Sequence, residues 1–102
     1  MSYVPVAQVS ELPEGTVKIV VAGGRRIALC HTGGAFHAIE DRCSHDNGPL
    51  SEGTLVGGLL ECPRHGARFD VTTGRPVTLP AVVPVQRFPV KVEGTQILVE
   101  VA

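Results

Sequence analysis

Four side chains in this 102-residue chain have the types and spacing to hold metal. Cys62 and His65 lie in CPRHGARF, residues 62–69, and Cys43 and His45 lie in RCSHDNG, residues 42–48. Together they read Cys-x-His-x16-Cys-x2-His. Two thiolates and two neutral imidazoles can enclose one zinc ion tetrahedrally. They can also serve two iron atoms bridged by sulfide, with each of two loops giving one sulfur and one nitrogen. Spacing favours the second arrangement, because structural zinc turns usually place two to four residues between paired ligands and only Ser44 separates Cys43 from His45. A structural zinc domain is the rival reading.

Ligands on two loops need a rigid frame, and the rest of the chain is patterned as strands. β-Branched segments recur at short intervals: YVPVAQV, TVKIVVA, RIALCHT, AFHAIED, TLVGGLLEC, ARFDV, VPVQRFPVKVE and QILVEV. Turn residues punctuate them, among them Pro13-Glu14-Gly15, Gly23-Gly24, Gly33-Gly34, Gly57-Gly58, Thr73-Gly74 and Glu93-Gly94. Twelve glycines and eight prolines, against one Met and no Trp, fit a turn-rich β protein. No segment of helical length shows apolar spacing of 3.6, so helix is expected only as a turn near residues 49–53. The expected fold class is all-β, an antiparallel sandwich or barrel. A chain of this length suits one domain, 1–102, with residues 41–70 as a metal-holding subdomain inserted in the β base.

Charge and hydropathy exclude other classes. Nine basic and ten acidic residues nearly cancel and form no run of one sign, so no phosphate-tracking surface and no nucleic-acid partner are expected. No stretch has the roughly 18 apolar residues of a membrane span, and MSYVPVAQVSELPEG lacks the order of a signal peptide. The expected setting is cytoplasmic, where cysteines more often bind metal or sit buried than form disulfides.

The ligand pairs and their surroundings resemble the Rieske-type [2Fe-2S] ferredoxins, specifically the ferredoxin components of bacterial aromatic-ring dioxygenase systems. The likeness runs through AFHAIEDRCSH, GPLSEGTLVGGLLECPRHGARFDVTTGRP and LPAVVPVQRFPVKVEG, most of residues 35–94. It implies the Rieske iron–sulfur fold, with the cluster loops at one tip of a β base. It also implies one [2Fe-2S] cluster per chain, with Cys43 and Cys62 on the buried iron and His45 and His65 on the outer one. The implied role is a monomeric one-electron carrier, not an enzyme, between a flavin-dependent NAD(P)H ferredoxin reductase and a terminal Rieske oxygenase. A small Rieske subunit of a larger reductase, such as nitrite reductase, is the second reading. The donor set suits the carrier: two cysteinates cancel the charge of two ferric ions and two sulfides, so reduction leaves a single negative charge.

Departures from the wider family point to a potential class. High-potential relatives carry a disulfide cysteine in each loop and hydroxyls after the second histidine; the matching positions here are Gly48, Arg64, Ala67 and Phe69. Without hydroxyl donors to sulfur the potential is expected near the lower end of the Rieske range of about −150 to +300 mV. The family match also places Pro80–Pro84 over the cluster, and Leu50 is expected to pack there. Gly48, Gly53 and Gly66 are expected to allow positive φ and close backbone approach to the cluster sulfurs, with turn geometry as the alternative. Cys30, in an apolar run, reads as a core thiol, and His31 and His37 as solvated imidazoles outside the site. Arg42, Asp46, Arg64 and Arg68 fit either a docking face or ordinary solubilising charge.

Overall fold

The computed structural model describes residues 2–42, 49–63, 66–77 and 83–101, in ten strands and two 3₁₀ turns. The strands are β1 (Ser2–Gln8), β2 (Val17–Ala22), β3 (Arg25–Thr32), β4 (Ala35–Glu40), β5 (Thr54–Val56), β6 (Leu59–Glu61), β7 (Arg68–Asp70), β8 (Arg87–Phe88), β9 (Val90–Glu93) and β10 (Gln96–Val101). They form three antiparallel sheets: a terminal sheet in the order β1-β10-β9, a central sheet β2-β3-β4-β8 and a loop sheet β5-β6-β7. The expected all-β antiparallel class holds. Leu50–Glu52 forms one 3₁₀ turn, where a turn was expected; Val9–Glu11 forms the other, which the apolar spacing did not signal.

Strand β3 explains why the sheets stack as they do. Side chains alternate across a strand, so a run of four apolar residues, Ile27-Ala28-Leu29-Cys30, is stable only where both faces are covered. Ile27 and Leu29 pack with Val20, Ala22, Ile97 and Val99 against the terminal sheet. Ala28 and Cys30 pack with Leu60, Phe69 and Val71 against the loop sheet. The central sheet is therefore shared between two cores.

Two long segments divide for local reasons. TLVGGLLEC is a hairpin, β5 and β6, turning at Gly57 and Gly58, whose φ angles of +53° and +86° disfavour any side chain. VPVQRFPVKVE breaks at Pro89, which has no N–H to give a ladder. Before it, β8 pairs with β4 in the central sheet; after it, β9 pairs with β10 in the terminal sheet.

Candidate metal centre

The loop that carries Cys62 is the tip of the β6–β7 hairpin. Glu61 pairs with Arg68 at the last rung of the ladder, and the Arg68 guanidinium reinforces it with an ion pair to Glu61 at 2.7 Å. Beyond that rung the Cys62 N–H donates to the Ala67 carbonyl at 2.6 Å, and the Gly66 N–H donates to the Cys62 carbonyl at 3.2 Å. The loop closes through Gly66 at φ +75°, the positive angle its sequence position suggested. Cys62 is only 1 % exposed and shares an apolar core with Leu50, Ala67, Phe69 and Val85.

The first loop leaves the end of β4 beside this core. The Asp41 N–H donates to the Arg26 carbonyl at 3.0 Å and the Arg42 N–H to the Glu40 carbonyl at 2.8 Å, which turns the chain out of the sheet. The Asp41 side chain, with no accessible surface, accepts from the Ser51 N–H at 2.6 Å and from the Ser51 hydroxyl at 3.0 Å. Arg26 stands 3.5 Å from the same carboxylate. The chain on either side of residues 43–48 is thus tied together.

Of the four ligand candidates, Cys62 is described; Cys43, His45 and His65 lie outside the described residues, as do Gly48, Asp46, Arg64 and 80–82. Among the described residues no three His, Cys, Asp or Glu side chains come together. The described part fits a sulfide-bridged iron group well: a buried thiol on a hairpin tip, with apolar neighbours that would keep water from its sulfurs. Leu50 is buried in the same core as Cys62, and Val85, just beyond the Pro80–Pro84 segment, is buried there too, although Val83 is 56 % exposed.

Several neighbours differ from their sequence reading. Gly53 has φ −87°, so positive φ is not why glycine stands there. A Cβ at that position would overlap the Glu61 carbonyl oxygen, and the need is for space. His31 is not a solvated imidazole: its ring stacks on Phe36 at 4.1 Å, Nδ1 lies 2.7 Å from the Leu12 carbonyl and Nε2 lies 3.5 Å from Glu14. His37 is half-buried, and burial, helped by Arg87 and opposed by Asp70, lowers its pKa. Arg42 and Arg68 are engaged with Glu40 and Glu61 of this chain. Cys30 is the core thiol expected, its pKa pushed up to about 12 by burial and by the Asp41 carboxylate. Asp41 and Ser51 were missed, since a lone acid before a cysteine looks like any surface charge.

Comparison with known proteins adds to this geometry. A sequence model of the Rieske [2Fe-2S] domain matches residues 2–89. The 3-phenylpropionate/cinnamic acid dioxygenase ferredoxin subunit of Escherichia coli K12 is 41 % identical over 101 residues, covering 98 % of this chain and 94 % of that one. The solved ferredoxin of carbazole 1,9a-dioxygenase from Nocardioides aromaticivorans IC177 superposes with a TM-score of 0.93 at 37 % identity, covering 97 % of each chain. A chain in the complex of reduced oxygenase and oxidized ferredoxin in carbazole 1,9a-dioxygenase matches with a TM-score of 0.90 at 39 % identity, over 95 % of this chain and 91 % of that one.

Proposed function

Because the chain belongs to the Rieske [2Fe-2S] domain family and holds one such cluster, we propose that it is the one-electron carrier of a multicomponent dioxygenase system. In this reading it takes an electron from an NAD(P)H-dependent flavin reductase and hands it to a terminal Rieske oxygenase. The observation that carries the reading is end-to-end likeness to dioxygenase ferredoxins, one of them in a complex with its oxygenase.

Cys43 and Cys62 would hold one iron and His45 and His65 the other, and the bound cluster supplies a one-electron redox centre. The chain's own residues do the rest. The β6–β7 hairpin holds the Cys62 thiol at its tip, and Leu50, Ala67, Phe69 and Val85 keep water from it. Keeping water away limits the solvent reorganisation that accompanies a change of one charge. Residues 41–70 act as the cluster-binding part of a single domain. In this reading the chain is a cytoplasmic monomer that shuttles between partners; no described helix is long and apolar enough to cross a membrane.

The test is reconstitution. The purified chain should contain iron and acid-labile sulfide and show visible bands that bleach with dithionite. NADH with a flavin reductase should bleach them too, and added terminal oxygenase with its aromatic substrate should restore them. Cys62→Ala and His65→Ala should each abolish the bands. A colourless chain holding one zinc ion would overturn the reading, and tight co-purification with one large reductase would favour the subunit alternative.

A further inference from the structure

We propose that the Asp41 carboxylate is a positioning residue that sets the separation of the two metal-holding loops. The proposal rests on the assignment of Cys43, His45, Cys62 and His65 above, and concerns a side chain that is not itself a ligand. Asp41 is the one buried charged residue among those described. Removing a carboxylate from water is costly unless its oxygens are paired. Here each oxygen accepts from Ser51, one from the N–H and one from the hydroxyl, while the exposed Arg26 forms an ion pair with the carboxylate at 3.5 Å.

What these bonds connect gives the carboxylate its role. Asp41 stands two residues before Cys43, and Ser51 follows the loop on its far side. Ser51 lies in the 3₁₀ turn Leu50–Glu52, which ends when the Gly53 N–H donates to the Leu50 carbonyl at 2.9 Å. Gly53 then lies against the Glu61 carbonyl with no room for a Cβ. Glu61 immediately precedes Cys62. An unbroken set of contacts therefore runs from the approach to Cys43, through Asp41, Ser51 and Gly53, to the approach to Cys62. A group that needs one sulfur and one nitrogen from each loop tolerates little change in the distance between them.

Asparagine separates hydrogen bonding from charge. Its carbonyl can accept from the Ser51 N–H and its amide can donate to the Ser51 hydroxyl, which also accepts. Alanine keeps neither bond and leaves the part-buried Ser51 N–H without its carboxylate partner.

The experiment uses the holoprotein and measures iron release to a chelator well below the unfolding transition, alongside the visible circular dichroism of the oxidised form and the EPR signal of the reduced form. Asp41→Ala should release iron about 10-fold faster or more, the usual range for losing a partner that orients a ligand set, with shifted dichroism bands and broadened EPR features. Ser51→Ala, which keeps the backbone bond, should fall between Asp41→Ala and the unsubstituted chain, and Asp41→Asn should stay close to the latter. If Asp41→Ala does not fold, the order of Ser51→Ala and Asp41→Asn gives the same test. Unchanged release and spectra in Asp41→Ala would overturn the proposal, as would Asp41→Asn failing as fully as Asp41→Ala. Failure of the ligand assignment looks different: the unsubstituted chain would then carry no cluster bands.

Discussion

A hydroxyl at position 67 would stand in the apolar core beside Cys62, and one at position 69 would extend from the buried ring of the next strand. Both can stabilise the reduced state by donating to sulfur. A hydrogen bond worth about 1 kcal/mol corresponds to about 40 mV for a one-electron couple. Ala67→Ser with Phe69→Tyr should therefore raise the midpoint by up to twice that, read by protein-film voltammetry, and an unchanged midpoint would refute this account of how the potential is set. Cys30 and Cys62 are both buried in this same core, yet they should differ sharply. With a pKa of about 12 the Cys30 thiol stays protonated at neutral pH and is a poor ligand. Cys30→Ala should keep its visible bands and lose about 1 kcal/mol in urea unfolding, as expected for one small buried group. His37 gives a pH prediction. Its folded pKa is lowered, so the unfolded chain takes up this proton at higher pH than the folded chain. The stability contributed by a neutral His37 is complete above the ordinary value of 6.5 and is lost as pH falls from there through the lower folded value. His37→Gln should flatten the decline of the urea midpoint across that window.

At the scale of elements, the junction between the 3₁₀ turn and β6 is the tightest packing described near the metal-holding loops. Gly53→Ala would force a Cβ into the Glu61 carbonyl. It should cost about 3 kcal/mol, the upper end of ordinary overpacking, seen as a lower thermal midpoint and faster cluster loss. β-Branched runs punctuated by turn residues made the strands legible, because that signal is local. The reason for Gly53 was not local: it depends on a carbonyl eight residues away, and the sequence suggested a φ preference instead. His31 was misread for a similar cause, since its partners Leu12 and Glu14 belong to a turn far back in the chain. The break of VPVQRFPVKVE was written in Pro89, but which sheet each half would join was not.

For the whole molecule, the central sheet is the common wall of two cores, and period-two alternation along β3 assigns each residue to one of them. Enlarging Ala28 should disturb the cluster spectrum, whereas enlarging Ala38 should lower stability with little spectral change. The terminal sheet has a different consequence, one of timing. Strand β1 is the first made, and its partner in that sheet is β10, the last, with Ser2 paired to Val101. In the order of the chain, β5 to β7 and both Cys-His pairs come before β10, so β1 has no partner until they have been made. Long-range pairing of this kind is slow to close. The terminal sheet is therefore the last part of the fold that can close, after every candidate ligand is already in the chain.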